Sequence, residues 1–319
     1  MRADPLNCEV RLPRLVEGGV TPNERFYIRS HFPPPALEAR TWRLHVHGLV
    51  DRHLHLNLDE IRAMRSVTQT VTLECAGNGR TLFTPAIEGE PWRLGAVSTA
   101  KWRGVLLSDV LTGARMRANA THLVFRGAEG FERGLSFAES RETLLVHEMN
   151  GVPLPPEHGF PLRAIVPGWY AVASVKWLQE IEVTDTPFDG YYQTQRYVYA
   201  EGEPVTRQRV RSLITQPEDA ASLSAGETVI QGLAWSGLAA ISRVEVRVGH
   251  GDWIDAELDE GDAFAWRPWR LATAFNHRGK IELSSRATDD SGTMQPEHAE
   301  WNRLGYGNNS IQKVTVEVR

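Results

Sequence analysis

Cys75 is the residue of this chain with the most chemistry open to it. It stands in TVTLECAGNGR, residues 70–80, where alternating β-branched positions give way to Ala76, Gly77 and Gly79. The pattern predicts a strand running out into a tight turn, with Asn78 tolerant of left-handed backbone. Such a turn lets a large ligand approach the main chain and leaves the thiol at the rim, and Arg80 would favour its thiolate. A buried filler, a nucleophile and a soft-metal ligand all remain open on this pattern. A disulfide framework does not, because Cys8 is the only other cysteine and there is no CxxC zinc spacing.

His45, His47, His53 and His55 form a second group. Alternation puts His45 and His47 on one strand face, and a turn could bring His53 and His55 opposite them. No further ligand type follows from the same spacing, so the polar, solvent-facing side of a hairpin is the expected role. The chain contains neither GxGxxG nor GxxxxGK[ST], and GLSFAES is not the G-x-S-x-G elbow of a serine hydrolase. Lysine occurs only at 101, 176, 280 and 313, the remaining basic residues being arginine, whose rigid fork of donors suits oxyanions.

The elements that must position these residues fall into two textures. FYIRSHFPPP, residues 26–35, is an extended segment, since Pro33, Pro34 and Pro35 exclude helix and central strand. WRLHVHGLVDRHLHLNL reads as two strands around a turn, and NLDEIRAM as a helix capped by Asn57 with Glu60 in the capping-box position. VTQTVTLECAGNGR gives a strand, VSTAKWRGVLLSDVLTGA a short helix and HLVFRGAEG another strand, followed by a region broken by Gly and Pro. Past residue 205, runs such as ETVIQGLAWSG, ISRVEVRVGHGDWIDAEL and IQKVTVEVR are strand-like, with Gly, Asp and Asn turns and no helical period. The expected fold is α+β: a mostly-β first domain over 1–205, then an all-β immunoglobulin-like sandwich over 206–319.

At 319 residues two domains are the natural division. A net charge of −5 argues against nucleic acid or an anionic membrane surface as main partner. No stretch approaches the roughly 20 apolar residues of a membrane helix. The opening MRADPLNCEV lacks an apolar signal core, so the expected location is cytoplasmic, or periplasmic if an export signal has been removed.

LECAGNGR resembles the cysteine loop of the sulfite oxidase family of molybdopterin enzymes. FYIRSHFPPP, GAVSTAKWRGVLLSDVL, HEMNGVPLPPEHGFPLRAIVPGWYAVASVKWL, GLAWSG and AEWNRLGYGNN resemble further segments of that family, in the same order along nearly the whole chain. The resemblance implies a mostly-β molybdopterin-binding domain followed by the family's dimerisation domain. It implies a molybdenum-molybdopterin cofactor with Cys75 as its protein ligand, a position suited to a soft thiolate. Cofactor contacts carried over with it are Tyr27, Ile28, Arg29, Ser30, His31, Glu129, His158, Arg163, Ser174, Val175 and Lys176. Arg29, Arg80, Tyr197 and Arg303 fall at active-site positions, and Trp92 at a pocket tryptophan. In Arg303 the order of Arg and Leu is reversed relative to the animal enzymes.

The implied reaction is oxidation of sulfite to sulfate by oxo transfer. With no haem domain before residue 26, electrons pass to a separate acceptor such as a cytochrome c, and the implied assembly is a homodimer. Two departures remove charge: Gly79 and Ala173 stand where animal members carry arginine, as in the bacterial branch. Alternatives are a relative acting on sulfane sulfur, a sulfoxide or nitrate, or a non-catalytic binding protein on the same fold.

Overall fold

A computed structural model describes residues 2–3, 6–17 and 19–319. The first part of the chain is built on two five-stranded sheets. One runs Val152–Pro153, Leu144–Met149, Val97–Leu106, Ser66–Glu74, with Arg163–Ile165 pairing alongside Leu144–Met149. The other runs Leu54–Leu56, Leu44–Gly48, Leu178–Thr184, His122–Gly127, Glu132–Ser136, with Leu178–Thr184 parallel to Leu44–Gly48. Helices are short, as the α+β reading expects. Leu58–Ala63 begins at Asn57 with a reciprocal capping box: the Glu60 N–H donates to Asn57 Oδ1 at 2.9 Å, and the Asn57 N–H to Glu60 Oε2 at 2.8 Å. Leu107–Ala114 buries Leu107, Val110, Leu111 and Ala114, the i, i+3, i+4, i+7 stripe of a helix lying on a core.

FYIRSHFPPP is extended, its Ile28–Arg29 portion pairing with Leu6–Cys8. The histidine hairpin forms in antiparallel register, His45 opposite His55. His45, His53 and His55 are exposed, and His47 Nε2 lies 3.0 Å from Glu180.

From residue 205 onward there is no helix among the described residues. Two sheets, one containing Arg211–Gln216, Gly226–Trp235 and Arg267–Phe275, the other Ile241–Val248, Gly279–Asp289 and Lys313–Val318, enclose a core including Ile230, Val244, Val246, Trp269, Leu283 and Val316. This is the expected sandwich, each strand turning alternate residues inward.

The Ser66–Glu74 strand departs from half-buried alternation, since its last four residues are all buried. Both faces are covered there. Val71, Leu73 and Cys75 enter a core with Phe26, Tyr27 and Trp102. Thr72 and Glu74 face the sandwich instead, the Trp266 N–H donating to Thr72 Oγ1 at 2.7 Å and Trp235 Nε1 to Glu74 Oε2 at 2.9 Å. Leu15, Val97, Leu213, Leu233, Trp235 and Trp266 form an apolar cluster across the same seam. No helix among the described residues is long and apolar enough to cross a membrane.

Candidate active site

Two cavities meet at Cys75. The inner one, about 670 Å³ including its mouth, is lined by the 26–31 segment, by Glu129, by His158 and Arg163, and by residues 174–177. The outer one, about 1130 Å³ including its mouth, is lined by Arg80, Trp92, Arg196, Tyr306 and the 88–90 loop, among others. Arg29, His31, Cys75 and Tyr197 line both, so the thiol stands in the shared wall.

Cys75 continues the strand by one residue, its N–H donating to the Ala96 carbonyl at 2.9 Å. It is 6% exposed, and burial raises its thiol pKa despite the opposing pull of Arg29, the Gly77 N–H and Arg80. Arg80 is therefore the smaller of two arginine influences, and neither overcomes burial. Much of Arg80 is already committed, with Nε donating to the Leu304 carbonyl at 3.2 Å and Nη1 to the Glu90 carbonyl at 2.9 Å. Its guanidinium lies 5.1 Å from the Tyr306 ring centroid.

The glycines of the loop serve a different purpose from the one their smallness suggested. A Cβ at Gly77 would stand 2.9 Å from Arg80 Nη2, and one at Gly79 would stand 2.8 Å from Arg211 Nη2. They make room for arginine side chains of this chain, whereas Ala76 is the small residue that lines the inner cavity. Asn78 is not left-handed; Gly79 is, at φ +81°. The Asn78 side chain donates to Glu74 Oε1 at 2.9 Å.

The inner cavity concentrates positive charge. Arg163 donates to the His158 and Ser174 carbonyls at 3.0 Å each, so the five-residue spacing of His158 and Arg163 closes into one cradle. Ser174 Oγ accepts the Val166 N–H at 3.0 Å, and Val175 lines the floor beside it. Lys176 Nζ donates to Ser30 Oγ at 3.0 Å and to the Glu157 carbonyl at 2.9 Å. Burial, then Arg163, pushes Lys176 down to about 7. Burial raises Glu129 to about 7 and lowers His158 to about 3, the latter aided by Arg163 and Lys176. Arg163 Nε and Glu129 Oε2 are buried without a hydrogen-bond partner. Cations thus outnumber acids in a buried site, an arrangement that an anion relieves.

At the shared wall, Tyr197 OH and His31 Nε2 are 2.7 Å apart, and His31 stacks on Phe131 at 4.8 Å. Burial, reinforced by Arg29 and Lys176, lowers His31 to about 2, so the imidazole is neutral at working pH. Tyr197 sits at φ 48° and stacks on Tyr306 at 4.9 Å; burial raises its phenol. Arg29 Nη1 donates to Asn7 Oδ1 at 3.3 Å and to the Ser30 carbonyl. Burial opposes its charge, but Tyr197, Cys75 and Glu90 together hold its pKa above the ordinary value. Tyr27 and Ile28 line the inner cavity, and Trp92 the outer one.

Arg303 is not brought to either cavity. It is exposed, and the same segment contributes Leu304 and Tyr306. Ala173 is fully buried and lines neither space, although its neighbours on both sides do. Arg196, Glu88 and Tyr192 line the outer cavity and carry no motif, though Arg196 adjoins Tyr197 in YYQTQRY.

The Lys176 environment makes a checkable linkage. Between pH 7 and 9 the unfolded lysine, near its ordinary 10.5, is protonated while the folded one loses its proton above about 7. The unfolded state binds more protons, so this group's contribution to stability rises with pH, by at most about 1.4 kcal/mol per unit. Denaturant melts of the ligand-free chain at pH 7, 8 and 9 should lose this component of slope in Lys176→Met. An unchanged slope in the variant would contradict it.

Residues 31–192 match the family model "Oxidoreductase molybdopterin binding domain", and residues 203–319 match "Mo-co oxidoreductase dimerisation domain". Mitochondrial sulfite oxidase of Mus musculus is 36% identical over 98% of this chain and 64% of its own length. Nitrate reductase [NADH] 1 of Oryza sativa is 33% identical, over 98% of this chain and 40% of that protein. The solved sulfane dehydrogenase SoxCD of Paracoccus pantotrophus superposes with a TM-score of 0.87 at 27% identity, covering 96% of this chain and 83% of that one. The chain thus spans about two-thirds or less of the length of these first curated relatives. Fold and site define the class of molybdopterin-binding oxidoreductases. Within that class, the chain belongs to the sulfite oxidase family. Its cofactor is accordingly Mo-molybdopterin.

Proposed function

We propose that this chain oxidises sulfite to sulfate at a molybdenum centre ligated by Cys75 and delivers two electrons to a separate acceptor such as a cytochrome c. The observation that carries the reading is the shared wall: Cys75, Arg29, His31 and Tyr197 border both cavities. A cofactor bound in the inner space and a substrate entering the outer one meet there.

The residues fit the cofactor. Buried Arg163 and Lys176, with an unpartnered Arg163 Nε, offer donors to a phosphate, and His158 adds a neutral imidazole beside them. Tyr27, Ile28, Ser30, Ser174 and Val175 shape the cavity around the pterin. Glu129, held near neutrality by burial, can remain protonated and donate to a ring acceptor. Cys75 supplies the one thiolate from the protein, its deprotonation favoured by a metal.

When bound, the cofactor supplies oxygen-atom transfer and accepts the electron pair, so that sulfite and water give sulfate, two protons and two electrons. The protein's part is binding and orientation. Arg29 and Arg80 hold the oxyanion by charge-assisted hydrogen bonds already aimed by their carbonyl anchors. Arg196 adds a third cation to the outer cavity. Tyr197 keeps its proton and donates a hydrogen bond, its direction fixed by neutral His31 and by the Tyr306 stack. The sandwich carries the matched dimerisation domain, which supports a homodimer.

Metal and pterin analysis of protein from a cofactor-competent host, joined to sulfite-dependent reduction of ferricyanide or cytochrome c, tests this. About one molybdenum per chain and turnover with sulfite are expected; less than about a tenth of an atom per chain would sink the enzyme reading. A second reading has one observation behind it. The outer cavity is lined by Trp92, Tyr191 and Tyr192 as well as by arginines, and such aromatic surface favours a bulkier sulfur substrate such as a carried sulfane. Faster turnover of a peptide persulfide than of sulfite in the same assay would select it.

A further inference from the structure

Glu74 immediately precedes Cys75 and is 1% exposed. Its Oε1 accepts from Arg211 Nη1 at 3.0 Å and from Asn78 Nδ2 at 2.9 Å, and its Oε2 from Trp235 Nε1 at 2.9 Å. Asn78 closes the loop, its Oδ1 accepting the Ala96 N–H at 3.1 Å, and Arg211 Nη1 also reaches the Asn78 carbonyl at 3.4 Å. Arg211 and Trp235 are register partners on adjacent strands of the sandwich. The same guanidinium fills the space where a side chain at position 79 would begin, Nη2 standing 2.8 Å from a Cβ built on Gly79.

We propose that Arg211 is a positioning residue for Cys75, acting through Glu74 and Asn78, and that Gly79, which its left-handed backbone already requires, leaves the space that the guanidinium occupies. The sandwich is then part of the thiol's support as well as the carrier of the dimerisation match. The chain thus brings a cation into the loop from 137 positions beyond Glu74. Its charge is spent on Glu74, so it shapes the loop and adds no cation to the oxyanion pocket. The consequence for the metal rests on the assignment of Cys75 as its ligand; the mechanical claim does not.

The test uses the full chain in a Cys8→Ser background, made in a host without pterin synthesis, with the rate of Cys75 modification by a maleimide as readout. Arg211→Met alone strands a buried carboxylate and risks misfolding, so two milder variants accompany it. Glu74→Met with Arg211→Met removes both charges together, and Trp235→Phe removes one hydrogen bond at similar volume. The double variant should react about 10- to 100-fold faster than the parent, the ratio that loss of a charge-assisted hydrogen bond represents. Trp235→Phe should react a few-fold faster. Folded double variant and Trp235→Phe protein both reacting at the parent rate would overturn the proposal. In cofactor-loaded protein the double variant should also shift the sulfur-to-metal charge-transfer absorption. Faster maleimide reaction with that absorption unchanged would support the clamp and overturn Cys75 as ligand.

Discussion

Cys75→Ser protein should fold, retain its pterin and lose the proposed sulfite oxidation by well over the roughly 100-fold that even an outer-shell partner of a metal ligand contributes. Retention is expected from the site's construction, because on this reading the donors for an anionic cofactor would come from Arg163, Lys176 and the 26–31 segment, not from the cysteine. Folding follows from size: serine is nearly isosteric at a residue 6% exposed whose backbone bond to Ala96 is unaffected. Loss of turnover is expected from donor chemistry, since serine would offer a hard oxygen donor in place of the polarisable thiolate that Cys75 would supply to the metal. Pterin fluorescence after release, molybdenum content and ferricyanide reduction measured on one preparation separate these outcomes. Native turnover with a full complement of cofactor would refute the ligand assignment.

Arg29→Gln should lower kcat/KM for sulfite by about 10²–10³, the range found when one preorganised donor to an oxyanion is removed. Arg29 borders both cavities and has its Nη1 tied to Asn7 and Ser30, so its orientation is set before substrate arrives. Arg29→Lys keeps the charge but loses the fork and should fall between the two. Stopped-flow reduction by sulfite at several ionic strengths checks the assignment, because the variant should also lose part of the salt dependence. A glutamine variant as fast as the parent would move the oxyanion role to Arg80 and Arg196.

What could be read in the sequence follows how local the governing physics is. The Asn57 cap, the paired histidine strands and the strand that ends in the cysteine turn depend on neighbours a few residues away, and each forms as its pattern predicts. His158, Arg163 and Lys176 were placed by family pattern, and the structure gathers them around one cavity. Arg303 lies outside both cavities; residues 299–312 have no regular secondary structure, apart from two turn positions, so no period fixes which side chain turns inward. Arg211 left no signal either. Its role depends on a partner in the other half of the chain, and a lone arginine opening a strand looks like any exposed basic residue until the strands are docked. The loop glycines are visible in the sequence, but smallness alone does not say which neighbour claims the space, and here it is Arg80 and Arg211.

The Ser66–Glu74 strand is committed on both faces, one toward the cavity core and the other toward the sandwich. Losing or gaining a single residue within it would exchange those faces, turning Cys75 onto the sandwich and pushing a carboxylate into the space that receives an anion. Length in this stretch is therefore held as tightly as residue identity. The exposed 84–86 stretch lies outside any strand and has no register to keep. The 88–90 loop, which does line the outer cavity, also lies outside the strand, so the cavity's rim can change without disturbing Cys75.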